Sequence, residues 1–441
     1  MARQQLKRVL GEGFAIAACV GGVVGLGIMR TPGEIAATIT DPVTYMSLWI
    51  GGGLLELVAL LVIVELIAMT PKSGGTYALV ASSFGPYPGF LVGWIAWLTG
   101  GAIAALKTVV LMEYLALLVP ALSAFALPGA LIVTTAFACF QIGGVRMGAR
   151  YHQIAVSCMG LMILAIIAAL FLGGGTTTPS QFVSGTGPGI FGADLSQFGI
   201  VVAAVVFTYS GSTSVSFFGG EIKGSGRNAA LGSLYGLWIV IALYLLLNLG
   251  LVLALPLESL QGHELALAGA IEFLYGAGTP IVFVAVFFLL THQNFDYMRT
   301  PRALYAISVD GMGTESATPV TEKGTPFGAV LITWGFIVLL ILGGGFEFLL
   351  GLSAIMYMLT RIALIVAVFY RRRRDPHAER PYRARGFPAT GYIGVTGWVL
   401  FTLFFCLTSP ETALYALALI AISIPAFLWL KSRRQIDVSL G

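Results

Sequence analysis

Ionisable side chains that interrupt long apolar stretches are the first candidates for chemistry in this chain. Lys107 and Glu56 each lie deep within an apolar stretch, and Arg30 lies in a third one with Glu34 four residues later. A charge in such surroundings is costly unless it is paired or hydrated, so each is a functional candidate. Lys107 either pairs with Glu56 or lies in a binding pocket, where it favours an acidic or polar ligand. Arg30 either pairs with Glu34 or attracts anions.

A second ionisable group spans residues 291–299. His292 titrates near neutral pH and is a candidate carrier of a coupling proton, although a lone histidine among apolar residues is more often a packing residue. Asp296 and Arg299 are three residues apart, a spacing that allows an ion pair on one helical face. The Thr291 hydroxyl is a candidate sodium ligand. Thr291, His292 and Asp296 are therefore the predicted ion-coupling residues.

The remaining histidines and the cysteines do not form a catalytic or metal-binding pattern. The four histidines lie in separate segments, and no HExxH, GxSxG or paired-aspartate motif is present. Enzymes and metal centres need such groups at defined spacings, so we predict no catalytic residue, no metal site and no enzymatic activity. The cysteines all lie within apolar stretches, which predicts small buried packing residues: Cys19, Cys139, Cys158 and Cys406.

Glycine and hydroxyl residues interrupt two of the apolar stretches. One contains Gly21, Gly22, Gly25 and Gly27, and the other reads Thr-Tyr-Ser-Gly-Ser-Thr-Ser over 208–214. Glycine permits unusual dihedral angles, and Ser and Thr compete for backbone hydrogen bonds. Glycine also serves close helix packing, which is the alternative interpretation. The interruptions fall in the first and sixth stretches, as two inverted five-helix halves with a binding site at paired breaks would place them.

A broken helix supplies backbone groups that bind a solute. Free N–H groups at the start of a half-helix attract a carboxylate. Free carbonyl groups at the end of the other half accept hydrogen bonds from an ammonium group. A site with both kinds of group suits an α-amino acid.

The elements that position these residues are predicted to be membrane-spanning helices. Apolar residues make up 57% of the 441 residues and charged residues 10%, a composition that leaves too little polar surface for a soluble fold of this size. Apolar runs of about 20 residues match the thickness of a bilayer. We predict an all-α integral membrane protein with twelve spans: 12–39, 44–68, 88–119, 124–142, 151–172, 195–219, 229–255, 277–306, 326–344, 347–370, 391–408 and 411–430.

The basic residues predict the orientation of these spans. We assign 22 of the 24 Lys and Arg residues to the N-terminus, the C-terminus or every second turn, and Arg361 is among those in turns. The two exceptions are Arg30 and Lys107. Basic loops remain cytoplasmic, so we predict a multi-pass protein of the plasma or inner membrane with both termini in the cytoplasm. The net charge of +4 is then a topological signal, lipids are the expected surroundings, and no nucleic-acid partner is expected.

Four motifs carry a resemblance to a known family. Gly25-Leu26-Gly27-Ile28 followed by Pro32-Gly33 resembles the helix 1 signature of the amino acid–polyamine–organocation permeases, and Phe207-x-Tyr209-x-Gly211 resembles their helix 6 signature. The segments 71–77 and 301–305 are similar to further motifs of that family. The resemblance covers essentially the whole chain.

The resemblance implies a LeuT-like fold with two inverted repeats over 12–172 and 195–370, followed by two helices over 391–430. It implies that N–H groups around Leu26, Gly27 and Ile28 bind the substrate carboxylate. The ammonium would meet carbonyl groups around Val23, Phe207, Thr208 and Ser210, and the Phe207 ring would cover the substrate. Gly25, Tyr209, Gly211 and Lys107 complete the predicted substrate site.

Three positions depart from patterns in that family. Many sodium-independent members carry a lysine in helix 5, where this chain has Met159. Some relatives have Trp after the helix 6 glycine, where this chain has Ser212. Arginine exchangers have Glu one position further, where this chain has Thr213, which argues against a strictly cationic substrate.

These observations predict a secondary active transporter that moves L-amino acids by alternating access, with neutral or polar side chains favoured. An acidic amino acid carrier that uses Lys107 is one alternative, and a sensor that binds amino acids without moving them is another. No cofactor is expected apart from a coupling ion, H⁺ or Na⁺. A small amino acid is the expected partner.

Overall fold

The computed structural model describes residues 6–173, 195–224, 226–261, 263, 265–343 and 346–440. In this part of the chain the regular structure is helical. The α-helices are α1 Glu12–Val23, α2 Leu26–Ala36, α3 Pro42–Met69, α4 Thr76–Phe84, α5 Pro86–Leu118, α6 Ala126–Ile142, α7 Val145–Leu172, α8 Leu195–Thr208, α9 Gly226–Ala254, α10 Ala266–Tyr275, α11 Thr279–Val309, α12 Phe327–Gly343, α13 Phe346–Arg374, α14 Ala389–Thr408 and α15 Pro410–Leu440. Short 3₁₀ helices occupy Pro120–Phe125, Ser214–Phe218, Leu257–Leu260 and Glu315–Ala317.

The predicted spans correspond to these helices, so the all-α membrane fold is confirmed. Ten stretches of the described chain are long and apolar enough to cross a bilayer, with α1 and α2 counted as one. Helices α8 and α12 are shorter, and they occupy two further predicted spans. Sequence analysis predicted neither α4 nor α10, which lie between spans. The helical architecture is that of a LeuT-like transporter.

The apolar surface is distributed as a bilayer requires. In the 18-residue apolar stretch of α11, 72% of the sequence is buried inside the protein, and in that of α3 67% is buried. In the corresponding stretch of α15 only 6% is buried. Helix α9 packs along both α1 and α3, and α11 packs along α5. Large apolar side chains such as Leu172 and Leu407 are exposed on the periphery. Apolar surface on this scale is stable only where lipid covers it.

Both predicted interruptions are present. Helix α1 ends at Val23, and Gly25 lies in extended backbone before α2 begins at Leu26. Helix α8 ends at Thr208, and a turn at Gly211, with φ of 112°, leads into the 3₁₀ helix Ser214–Phe218. A Cβ atom on Gly211 would overlap the carbonyl group of Gly22. The two breaks therefore touch each other, backbone against backbone.

Several turns that sequence analysis assigned to one side meet at one end of the bundle. The Glu221 carbonyl accepts hydrogen bonds from the N–H groups of Val9 and Leu10. The Glu221 carboxylate pairs with Arg302 of α11 at 2.5 Å, and Ser73 donates to the same carboxylate. We call this end of the molecule the basic end.

Glu65, near the C-terminal end of α3, ties the segment 375–388 to the basic end. It pairs with Arg372 at 2.6 Å and with Arg380 at 3.1 Å, and it accepts a hydrogen bond from the N–H group of Ala384. One carboxylate therefore connects three points of the chain around the α13–α14 connection.

The assignment of Arg361 to a turn is wrong. Arg361 lies within α13, ten residues before Arg371, and is 1% exposed. Arg299 and Arg302 likewise lie within α11. Arg299 pairs with Asp296 of the same helix, and Arg302 pairs with Glu221. The predicted alternation of basic turns therefore rests on the Lys and Arg residues other than these three. The cysteine prediction holds for Cys19, which is buried, but Cys139 is exposed and Cys158 and Cys406 are half-buried.

Candidate binding site between the broken helices

A cavity of about 420 Å³ lies where the two breaks meet. Its walls come from the α1–α2 break, the turn after α8, and helices α5, α11 and α13. Ten of the predicted site residues line it: Val23, Gly25, Leu26, Gly27, Lys107, Phe207, Thr208, Ser210, Gly211 and His292. Ile28, Tyr209, Thr291 and Asp296 are buried outside this lining.

The start of α2 presents backbone donors to the cavity. The first four N–H groups of a helix have no partner within it, and no side chain caps α2. Gly25, Leu26 and Gly27 line the cavity, whereas Ile28 lies behind them. A Cβ atom on Gly27 would lie 3.0 Å from the Thr208 hydroxyl oxygen, so there is little room for a side chain there. This end of α2 suits an anionic group.

The carbonyl groups at the breaks each have one donor already. Tyr244 donates to the Val23 carbonyl at 3.2 Å, and the N–H group of Ser210 donates to the Phe207 carbonyl at 2.9 Å. A carbonyl oxygen has two lone pairs, so each of these oxygens retains capacity for an ammonium group. The predicted acceptors are therefore partly occupied by the protein itself.

Two aromatic residues of the helix 6 motif have different surroundings. The Phe207 ring lines the cavity and its centroid lies 6.1 Å from that of Tyr357. The Tyr209 ring points away from the cavity and packs edge-on against Trp49. The location of Phe207 suits the predicted cover over a solute, whereas the Tyr209 ring has a packing role.

Lys107 joins a chain of polar groups that reaches the broken backbone. Its Nζ lies 2.7 Å from Asp296 Oδ2 and 3.0 Å from His292 Nδ1, and Asp296 also pairs with Arg299 at 2.8 Å. His292 Nε2 donates to the carbonyl of Val24. A carbonyl oxygen only accepts, so Nε2 carries the hydrogen and Nδ1 accepts from the Lys107 ammonium.

The contacts of Lys107 and Asp296 test two predicted ion pairs. The Lys107–Glu56 pair is wrong, because Lys107 pairs with Asp296. The Asp296–Arg299 pair is confirmed. Lys107 forms an ion pair, with Asp296 as its partner, and it also lines the cavity, so its role in substrate selection stays a prediction. Glycine at position 25 makes room for His292, because a Cβ atom there would lie 2.7 Å from Nε2.

A second buried ion pair borders the cavity. Glu56 of α3 pairs with Arg361 of α13, and both side chains are 1% exposed. Ser212, in the turn after α8, donates to the Glu56 carboxylate at 2.5 Å. Tyr357 donates to the same carboxylate at 3.2 Å and accepts a hydrogen bond from Arg361 at 2.5 Å. Arg361 and Tyr357 line the cavity, and sequence analysis missed both.

Thr291, Arg30 and Met159 do not belong to either ion-pair network. Thr291 donates to the carbonyl of Phe287 in its own helix. Arg30 lines the cavity, and no ion pair joins it to Glu34, which is exposed, so that predicted pair is wrong. Met159 is buried in α7, so an apolar side chain occupies the helix 5 position.

A larger cavity of about 900 Å³ lies elsewhere, between α5, α11 and α15. Its walls are mostly apolar and aromatic, with Trp94 and Trp429 among them, and Glu315 is the one ionisable residue in the described lining. It meets neither helix break. The smaller cavity is the better candidate because free backbone groups and charged side chains converge on it.

Comparison with known proteins identifies what the chain resembles. A family model described as amino acid permease matches residues 14–426. The serine/threonine exchanger SteT of Bacillus subtilis is 25% identical over 408 residues, which cover 89% of this chain and 90% of the relative. The b(0,+)-type amino acid transporter 1 of Mus musculus is 24% identical over 403 residues, or 86% and 79% of the two chains. The amino-acid permease RocC of Bacillus subtilis is 24% identical over 352 residues, or 76% and 72%.

Proposed function

The chain belongs to the amino acid permease family, and we propose that it is a secondary active transporter that moves L-amino acids by alternating access. The observation that carries the proposal is the cavity between two helix breaks in contact with each other. Paired breaks at the centre of a bundle are characteristic of transporter binding sites. The names of the relatives, an exchanger, a transporter and a permease for amino acids, support the same class of activity.

In this proposal the backbone holds the part that all amino acids share. The α-carboxylate lies at the N–H groups of Gly25, Leu26 and Gly27, where the helix dipole is positive. The α-ammonium group uses the second lone pairs of the Val23 and Phe207 carbonyls, with Thr208 and Ser210 beside them. Recognition by main chain leaves the side chain of the substrate to be selected by other walls of the cavity.

Those other walls disfavour a strictly cationic substrate. Arg30, Lys107, Arg299 and Arg361 line the cavity, and the described lining includes no Asp or Glu. Thr213 lines the cavity at the position where arginine exchangers of the family have Glu. Neutral, polar or acidic side chains therefore remain as substrates.

Protons fit the ion-coupling residues better than sodium. Sodium requires several oxygen ligands, but Asp296 already faces two cations and the Thr291 hydroxyl donates within its own helix. The connected groups of His292, Lys107 and Asp296 can instead exchange a proton with water in the cavity. We further propose that both termini lie in the cytoplasm, since the loops at the basic end carry the Lys and Arg residues.

Transport by the purified protein tests the proposal. The protein is reconstituted into liposomes, and uptake of each radiolabelled amino acid is measured with an inward proton gradient, a sodium gradient or neither. We expect uptake of at least one amino acid, stimulation by the proton gradient and acceleration by unlabelled substrate on the opposite side. Protein-free liposomes are the control. If no amino acid accumulates or exchanges above that control, the transporter proposal is wrong; if sodium alone stimulates uptake, proton coupling is wrong.

A further inference from the structure

The basic residues around the cavity indicate the charge of the substrate side chain. They come from four different helices, with Arg30 on α2, Lys107 on α5, Arg299 on α11 and Arg361 on α13. Resting on the proposed function, we propose that the transported amino acids carry a second carboxylate, as aspartate and glutamate do, and that Lys107 and Arg361 select it. The acidic alternative from the sequence thereby replaces the neutral one, and Arg361 joins Lys107 as a specificity residue.

The charges around the cavity do not balance. Lys107 and Arg299 share a single carboxylate, that of Asp296, and Arg361 has Glu56. No ion pair is found for Arg30 in the described part of the chain. Four cations thus face two carboxylates close to the cavity, and two positive charges are left without a counter-charge. Charge that is removed from water without a partner destabilises the protein.

A neutral amino acid does not correct this imbalance. It is a zwitterion, and its ammonium group cancels the charge of its α-carboxylate. An acidic amino acid brings one net negative charge into the cavity. Its binding is therefore favoured by the field of the lining residues in addition to the backbone contacts.

Lys107 and Arg361 each have hydrogen-bond donors that no group among the described residues uses. The Lys107 ammonium has three N–H bonds, of which one is directed to Asp296 and one to His292. Its side chain is 18% exposed, so the third can reach the cavity. Arg361 is more tightly enclosed, yet its Nε and Nη1 atoms are buried without a hydrogen-bond partner. Buried donors are nearly always satisfied, so such a residue beside a cavity calls for an acceptor.

Hydrogen bonds connect both of these residues to the helix breaks. A single imidazole ring, that of His292, separates Lys107 from the carbonyl of Val24 at the α1–α2 break. Ser212, which hydrogen-bonds to Arg361 at 3.0 Å, belongs to the turn at the other break. The donors proposed for a second carboxylate are thus linked, through His292 and Ser212, to the two breaks that hold the first one.

Competition for transport tests the substrate class. Uptake of radiolabelled glutamate into proteoliposomes is measured with unlabelled aspartate, glutamate, glutamine, serine or leucine as competitor. We expect glutamate uptake, with the acidic competitors at least about tenfold more potent than glutamine, which has the same shape and no charge. If neutral amino acids are transported while acidic ones are neither transported nor compete, the inference is overturned and the proposed function stays intact. Absence of transport of every amino acid would instead remove the proposed function.

Two variants test the residues. Lys107→Met leaves Asp296 paired with Arg299, and Glu56→Gln combined with Arg361→Met removes both charges of the second pair together, so neither leaves a buried charge alone. Each is expected to lower the potency of glutamate relative to glutamine at least about tenfold. Lys107→Arg, which keeps the charge, should retain more of the preference than Lys107→Met. Monodisperse elution in detergent verifies that each variant is folded.

A matched control removes a cation outside the cavity. Arg372→Met takes one basic residue from the basic end while Glu65 keeps Arg380 as a partner. The preference for glutamate over glutamine should be that of the original protein. If both cavity variants behave like this control, the selection of the second carboxylate by Lys107 and Arg361 is disproved, even where the protein itself prefers acidic substrates.

Discussion

Two glycines at the breaks leave room for neighbouring side chains. Gly25 admits the imidazole of His292, and Gly27 faces the Thr208 hydroxyl. The adjoining α2 terminus is the proposed carboxylate site, so a side chain at either position would displace a neighbour that shapes this site, His292 or Thr208. The chemistry of the site is therefore sensitive to the loss of a glycine, even though glycine itself binds nothing through a side chain.

Gly27→Leu is predicted to abolish uptake while the protein still folds, because the new side chain fills the space between α2 and Thr208. The measurement is amino acid uptake into proteoliposomes at matched protein content. Gly335→Leu is the control, since a Cβ atom at position 335 has no neighbour within 4 Å. Undiminished uptake by the Gly27 variant would exclude the start of α2 as the carboxylate site.

Pairs of charged residues were the part of the site least accessible from the sequence. Glu56 and Lys107 were matched because both lie deep in apolar stretches, but depth does not distinguish Glu56 from Asp296. The actual partner of Lys107 is Asp296, 189 residues away along the chain. The actual partner of Glu56 is Arg361, 305 residues away. Only the packing of α5 on α11 and of α3 on α13 brings them together. Of the two local predictions, Asp296 with Arg299 was correct and Arg30 with Glu34 was wrong.

At the scale of helices, the sequence predicted what the bilayer imposes. Long apolar runs became spanning helices because a backbone in lipid must satisfy its own hydrogen bonds. The two breaks were predictable because glycine and hydroxyl residues cluster there. Helix α4 was missed because it is nine residues long and is set off by glycines, Gly75 and Gly85, whose positive φ values become apparent only in the folded chain.

Glu65 is a buried anchor of the segment 375–388 between α13 and α14. Glu65 contacts Arg372, Arg380 and the N–H group of Ala384. Glu65→Gln is predicted to loosen this segment without unfolding the bundle, because a neutral amide replaces a carboxylate that serves two arginines. Hydrogen–deuterium exchange should rise across 375–388 and stay unchanged in α9.

Asp375→Asn serves as the control for that experiment. Asp375 pairs with Arg371 at 3.3 Å across partly exposed surface, and such pairs contribute roughly 0–1 kcal/mol. Exchange across 375–388 should therefore change little. Equal exchange in both variants would show that Glu65 does not anchor the segment.

At the scale of the whole molecule, the basic end gives the protein its proposed orientation in the membrane. Segments near Leu10, Ser73 and Glu221 meet there, and the run 371–374 adds further positive charge. The opposite end, which includes the connection around Glu258, contains far fewer basic residues. Charge asymmetry of this kind determines which loops stay in the cytoplasm.

Labelling of introduced cysteines tests that orientation. Glu379 and Glu258 are both exposed, and they lie in connections predicted to face opposite sides of the membrane. In a background with the native cysteines replaced by alanine, a membrane-impermeant maleimide applied to intact cells should modify Glu258→Cys and not Glu379→Cys. Permeabilised cells should show both reactions. The reverse pattern in intact cells would invert the proposed topology.

The contact between Gly22 and Gly211 has a genetic consequence. Because neither residue has a side chain, the two broken helices can approach each other there backbone to backbone. A mutation at either codon that adds a side chain should therefore abolish transport, because it places atoms where the two backbones meet.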